Sequence, residues 1–164
     1  MKILLLKPIS PHYYVIEPNL GLGYLATIIL DAGHQVDLLD AGKEKLSRKE
    51  FVRRIRKEKY QLVGIQVFTH ELESVKKHAP LVKKHSPQTT VIVGGPHVSG
   101  DPQGTLETIP EIDFGFTDEA EIGLDRFIQL DQRDYARDQV LATIPNLVWR
   151  KNQKVIGNPQ EGPF

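Results

Sequence analysis

The chain of 164 residues contains no cysteine. Without thiols it can form no disulfide framework and no thiolate zinc site, it has no cysteine nucleophile, and it cannot itself hold an iron–sulfur cluster. Net charge is absent too, because 21 lysines and arginines balance 21 aspartates and glutamates. No global field therefore draws the chain to nucleic acid or to an anionic membrane, and neither is expected as a partner. The apolar run at residues 1–6 is far shorter than the roughly 20 residues that span a bilayer, and no small-residue cleavage site follows it. A buried strand in a cytoplasmic protein is expected instead. Three site motifs of α/β proteins are also missing. There is no G-x-x-x-x-G-K-[ST] phosphate loop. Gly21-Leu22-Gly23 stands after a long loop, with Ala26 where a dinucleotide fingerprint has its third glycine. Lys7-Pro8 and Val67-Phe68-Thr69 occupy the strand ends where a phosphoacceptor domain needs acidic residues.

What is present is an alternation of buried strands and amphipathic helices. Residues 2–6, 62–68 and 91–93 are short, continuous apolar runs, the pattern of strands covered on both faces, and 36–40 and 114–117 read as two further strands. Between them, Leu22, Leu25, Ala26, Ile29 and Leu30 recur at helical spacing, with Gly33 as the stop. Ser47-Arg48-Lys49-Glu50 is a capping box that opens a helix carrying Phe51 and Ile55. A helix over about 71–85 carries Leu72, Val75, Ala79 and Val82, and Pro80 is expected to kink it. Another starts near Glu119 with Ile122, Leu124, Phe127, Ile128 and Leu130. Such alternation implies right-handed βαβ crossovers, hence a doubly wound, mainly parallel five-stranded sheet with helices on both faces. Residues 147–156 read as a small C-terminal β-hairpin. The expected division is an α/β domain over 1–142, then the hairpin and the start of a linker over 143–164.

Ligands of such sheets bind beyond the C-terminal ends of the strands. The candidate loops are therefore 8–20, 68–71, 94–100 and 117–121. Gly94-Gly95, directly after a strand, would let a ligand approach the backbone, although two glycines before Pro96 also suffice for a turn. Of six histidines, His34, His78 and His85 are expected at the surface, whereas His12, His70 and His97 fall in the binding-edge loops. Glu119 and Glu121 either form a carboxylate pair or complement a helix N-terminus. The same fold and edge suit a regulatory or interaction domain without cofactor, or a nucleotide- or sugar-binding enzyme.

Four segments, in order, carry a resemblance: Leu20-Gly21-Leu22-Gly23-Tyr24-Leu25-Ala26, Val63-Gly64-Ile65-Gln66-Val67-Phe68-Thr69, Val91-Ile92-Val93-Gly94-Gly95-Pro96-His97 and Ile144-Pro145-Asn146-Leu147-Val148-Trp149-Arg150. Together they resemble the N-terminal cobalamin-binding domain of radical S-adenosylmethionine enzymes, over nearly the whole chain. The resemblance implies a Rossmann-like fold that holds cobalamin at the C-terminal edge of the sheet, with the nucleotide tail in a groove between loops. It implies contacts from Pro8, His12, Phe68, Thr69, His70, Gly94, Gly95, Pro96, His97, Thr117, Asp118 and Glu119. Cobalamin carriers with D-x-H-x-x-G place a histidine under cobalt. Here Ser10-Pro11-His12-Tyr13-Tyr14-Val15 lacks the aspartate and glycine, so His12 is not expected to be an axial ligand and no metal-ligating residue is assigned. Where relatives resemble R-G-E-x-E, this chain reads Thr117-Asp118-Glu119-Ala120-Glu121. The implied partner is a downstream radical S-adenosylmethionine domain that holds S-adenosylmethionine and a [4Fe-4S] cluster. The chain alone is then not catalytic, and the whole enzyme transfers methyl groups or does related radical chemistry.

Overall fold

The computed structural model describes residues 1–10 and 19–161. Continuous apolar strands form its centre. Strand β1 (Lys2–Lys7) pairs in parallel with β2 (Gln35–Asp40) on one side and β3 (Leu62–Gln66) on the other. The sheet continues through β4 (Thr90–Gly94) and β5 (Phe114–Phe116), both parallel. A hairpin, β6 (Leu147–Lys151) and β7 (Lys154–Gly157), then adds antiparallel to β5. The strand order is β2-β1-β3-β4-β5-β6-β7. The hairpin foreseen in the sequence thus extends the parallel sheet to seven strands. Its turn residues Asn152 and Gln153 both have positive φ, 50° and 65°, the backbone that matches a two-residue turn to the twist of its strands.

Alternation along the strands divides the core in two. Ile3, Leu5, Leu62, Ile92, Phe114 and Phe116 point to one face, where α1 (Leu20–Asp31), α6 (Glu121–Ile128) and α7 (Asp138–Leu141) cover them. Leu4, Leu6, Val63, Ile65, Val91 and Val93 point to the other, under α2 (Arg48–Glu58), α3 (Leu72–His85) and the short α4 (Pro96–Gly100) and α5 (Pro102–Thr108). The capping box forms as its spacing requires: Glu50 N donates to Ser47 Oγ at 3.2 Å, and Ser47 N donates to Glu50 Oε2 at 3.0 Å. Helix α3 runs on through Pro80 to His85. Strand β3 is shorter than its apolar run, ending at Gln66. Beyond it, Val67 N still donates to Gly94 O at 2.8 Å, and residues 69–71 tighten into a 3₁₀ turn that leads into α3. No helix among the described residues is long and apolar enough to cross a membrane.

Two of the three histidines expected at the surface, His78 and His34, are placed otherwise. His78 is buried, its ring edge-on to Phe51 at 4.8 Å and its Nδ1–H donating to Ser74 O at 2.8 Å. It lies three residues after Val75 and four before Val82, so it shares their inward stripe and the basic residues around it do not decide its exposure. Burial pushes its pKa below the ordinary histidine value. His34 is half-buried between the N-terminal amine, 2.9 Å from Nδ1, and Ile128 O, 3.1 Å from Nε2, because Met1, just before β1, lies over that loop. His85 stays at the surface, partly exposed, with its Nδ1 3.0 Å from the Arg56 guanidinium of the neighbouring α2.

Candidate functional site

A missing side chain opens a cavity at the C-terminal edge of the sheet. On the α1/α6 face, period-two alternation aims Gly64 and Gln66 of β3, and Ile92 and Gly94 of β4, toward the helices. Glycine at 94 leaves a hollow of about 160 Å³, whereas Gly64, which also lines it, makes room for Leu5, whose side chain a Cβ at 64 would meet at 2.8 Å. Leu5, Leu22, Leu25, Phe116 and Leu124 wall it with apolar surface, and Gln66, Asp118, Glu119 and Glu121 supply polar groups. The hollow lies across β1 and β3, where the chain has finished winding outward to β2 and turns back to build the other half. In open α/β sheets this switch point is the crevice in which ligands sit.

Gly95 has a different reason. Its φ is +113°, and a Cβ there would stand 3.0 Å from Val67 O. A side chain is excluded by the crossing of the two loops, which His97 N tightens by donating to Val67 O at 3.1 Å. A Cβ on Gly94 would meet its nearest neighbour, Phe116 O, at 3.7 Å, ordinary contact, so the space beside Gly94 is open. The paired glycines of the sequence thus divide the two roles foreseen for them: Gly95 serves the turn and Gly94 the hollow.

Local bonds set the walls. Asn19 caps α1, its Oδ1 accepting from Leu22 N at 2.9 Å, while its Nδ2 donates to Gln66 Oε1. The first turn of α1 is thereby tied to the end of β3 at the mouth of the cavity. On the opposite wall Asp118 adopts φ +50° and its N donates to Ser99 Oγ at 2.8 Å. Aspartate is one of the few side chains that enters this left-handed region readily, so the loop turns here without glycine.

Of the residues singled out in the sequence, Gly94, Gly95, Asp118 and Glu119 line the cavity. Phe68, Thr69, His70, Pro96, His97 and Thr117 stand around the same edge of the sheet but do not line it. There His97 Nδ1 meets Thr69 Oγ1 at 3.2 Å, and His70 stacks on Phe68 with ring centres 5.6 Å apart. Pro8 is buried directly after β1, and His12 lies outside the described residues. Gly64, Gln66 and Phe116 were not singled out, yet they line the cavity. Their signal was available: a glycine inside a buried strand marks a close approach, and Gln66 is the polar end of the face begun by Leu62 and Gly64. His70 and His78 border a second, larger groove of about 700 Å³ on the α2/α3 face, rimmed by Arg48, Lys77 and Lys84. Among the described residues no cluster of three or more His, Cys, Asp or Glu could hold a metal ion.

Beside the cavity edge lies a buried charged group. Lys7 Nζ donates to Asp40 Oδ2 at 3.0 Å, and Glu71, 1 % exposed, accepts from Phe68 N at 3.1 Å. Burial raises the Glu71 carboxyl above its usual range, against the Phe68 N–H and the His70 and Lys7 charges, which lower it. At Asp40 burial also works upward, but the Lys43 N–H and the Lys7 ammonium outweigh it and hold the group below its ordinary value.

Residues 7–128 match the B12 binding domain family. The chain is 29% identical to an uncharacterized methyltransferase of Pyrococcus horikoshii over 97% of its own length and 35% of that protein. Among solved structures it resembles TsrM, a radical S-adenosylmethionine methyltransferase from Kitasatospora setae with cobalamin and a [4Fe-4S] cluster bound, with a TM-score of 0.79 and 20% identity. That match covers 97% of this chain and 29% of TsrM. It resembles OxsB, a cobalamin-dependent S-adenosylmethionine radical enzyme with aqua-cobalamin and S-adenosylmethionine bound, with a TM-score of 0.83 and 15% identity, over 99% of this chain and 22% of OxsB. The chain thus spans about a third of the curated relative and less of the two enzymes.

Proposed function

The chain belongs to the B12 binding domain family, and on that premise we propose that it is the cobalamin-holding module of a longer radical S-adenosylmethionine enzyme that transfers methyl groups. The observation that carries this reading is the glycine-made hollow at the β1/β3 switch point, inside the segment that matches the family. Its apolar walls fit a flat, weakly polar group such as the base at the end of a nucleotide tail, and Gly94 lets that group lie against the sheet. Gln66 has an amide nitrogen available to meet a polar atom of the tail, while Leu22, Phe116 and Leu124 exclude water from its face. Around the rim, Phe68, Thr69, His70, Gly95, Pro96, His97, Thr117, Asp118 and Glu119 would border the rest of the cofactor, with Pro8 behind them. When bound, cobalamin supplies a cobalt centre able to carry a methyl group, chemistry that protein side chains lack.

The length comparison supports placing the reaction in a larger protein. This chain has no cysteine to hold a [4Fe-4S] cluster, so the cluster and S-adenosylmethionine would be bound by a downstream domain, with residues 1–142 as the cofactor module and 143–164 leading toward that domain. Methyl transfer is favoured by the Pyrococcus horikoshii relative and by TsrM, both methyltransferases. A cytoplasmic location follows from the same reading, since a reduced cluster is kept where thiols stay reduced. The balanced charge favours a small-molecule partner over nucleic acid.

The test is a titration of the purified chain, and of the full-length enzyme, with hydroxocobalamin, followed by the visible spectrum and by retained corrinoid after gel filtration. Saturable, stoichiometric binding is expected, without the spectral signature of a nitrogen ligand from this chain. Binding by the full-length enzyme alone would move much of the site to the downstream domain. No binding by either would overturn the reading.

A further inference from the structure

We propose that Asn146 is the positioning residue of this groove: its left-handed backbone and its side-chain amide hold the 117–121 loop where that loop walls the cavity. The inference rests on reading the cavity as the cofactor groove and adds a residue outside its lining.

Asn146 lies just before β6, 3 % exposed, with φ +61°. Its N–H donates to Pro159 O at 3.2 Å, while its carbonyl and its side-chain amide both bond one loop. Thr117 N donates to Asn146 O at 3.0 Å, Thr117 Oγ1 donates to the same oxygen at 3.4 Å, and Asn146 Nδ2 donates to Glu119 O at 2.7 Å. Between those two points Asp118 N is held by Ser99 Oγ from α4. Three successive residues, of which Asp118 and Glu119 line the cavity, are thus fixed from outside, the first and third by Asn146. The middle one is Asp118, exposed and left-handed, so the loop's own backbone preference does not fix its shape. Position 146 also bears on α6. A Cβ on Gly123 would collide with Pro145 O and would come within 2.9 Å of the Phe116 ring. A shift of 145–146 would therefore reach both α6 and Phe116 at the cavity wall.

The unused half of the amide separates positioning from plain stability. Asn146 Oδ1 is buried and has no hydrogen-bond partner, and a buried oxygen left unpaired destabilises a fold. If position 146 required only a left-handed turn, glycine would supply it without that oxygen. The asparagine is accounted for by what its Nδ2 holds, the Glu119 carbonyl.

Two variants test this. Asn146→Gly keeps the backbone conformation and removes the amide, whereas Asn146→Asp keeps the shape but has no N–H to donate. Both are compared with wild type by thermal unfolding, by hydrogen exchange of the 117–121 amides, and by hydroxocobalamin titration in the protein that binds it. For Asn146→Gly the expected result is an unfolding midpoint equal to or above wild type, faster exchange confined to 117–121, and a corrinoid Kd raised roughly three- to tenfold, the worth of one hydrogen bond. Asn146→Asp should loosen the same amides. Unchanged exchange at 117–121 in Asn146→Gly would overturn the proposal, as would faster exchange across the whole sheet with a lowered midpoint, which would make Asn146 an ordinary stabilising residue. If wild type binds no corrinoid yet the variants still loosen 117–121, the cofactor reading fails while the positioning of the loop stands.

Discussion

Gly94 and Gly95 are neighbours with opposite tolerances. A Cβ on Gly94 makes only ordinary contact, 3.7 Å from Phe116 O, so Gly94→Leu is expected to fold and to fill the cavity, abolishing corrinoid binding with a change in unfolding free energy of no more than about 1–3 kcal/mol. At Gly95 even alanine meets the Val67 carbonyl at φ +113°, so Gly95→Ala should destabilise by more than about 1 kcal/mol whether or not ligand is present. Urea unfolding and titration of the two variants separate the roles. Glu71 supplies a test in pH. Because burial raises its folded pKa above the ordinary 4.5, the folded chain binds that proton more firmly than the unfolded chain does. Its stabilising contribution is complete below the unfolded value and is lost as pH rises through the folded one. Glu71→Gln retains an acceptor for Phe68 N, so the variant should gain on wild type as pH climbs from 4.5 toward neutrality, and parallel urea curves across that range would reveal a flat difference if the reasoning fails. Local signals made Gly94-Gly95 legible in the sequence, because an approach to backbone needs glycine wherever the chain passes. Gln66 and the burial of His78 are less plain: Gln66 keeps the period of Leu62 and Gly64 and His78 that of Val75 and Val82, but a polar side chain within such a period does not announce its own burial.

Helix caps and turns follow short-range rules, and these elements were the most legible. Ser47 and Glu50 are three residues apart, so the capping box needs nothing from the rest of the fold. Ser47→Ala should cost about 1 kcal/mol, visible as a lower urea midpoint and faster exchange in the first turn of α2. The short helices α4, α5 and α7 span 5, 7 and 4 residues, too few to display a helical period, and went unseen. The place of the hairpin in the sheet was hidden for another reason: Gly115 pairs with Val148 across a long stretch of chain, and such pairing leaves no mark in either segment. The contact of α2 with α3 has its own pH dependence through His78, whose ring meets Phe51 edge-on. Its folded pKa is depressed by burial, so the stability it confers is present above the ordinary 6.5 and falls away as pH drops through the folded value. His78→Leu should flatten the loss of stability on acidification below pH 6.5, and an equally steep loss in the variant would assign it to other groups.

At the scale of the whole molecule, strand order decides where a ligand can gain most. The β2-β1-β3-β4-β5 order places the α1 and α2–α3 layers on opposite faces and leaves the crevice between β1 and β3 for whatever the glycines admit. The alternation of elements made this architecture legible, whereas the position of the cavity depended on which strand face lacked side chains. A ligand in that crevice touches β1, β3, β4, β5, α1 and α6 together, so its binding energy should appear in global unfolding and not only in the local order of one loop. With hydroxocobalamin at one hundred times its Kd, linkage gives about 2.7 kcal/mol. For a chain of this length that corresponds to an unfolding midpoint higher by about 5–10 °C. Gly94→Leu, measured beside it, should show no shift, because the crevice is filled while the rest of the surface is unchanged. A corrinoid that raised both midpoints equally would be bound elsewhere, and the groove between β1 and β3 would lose its claim to the cofactor.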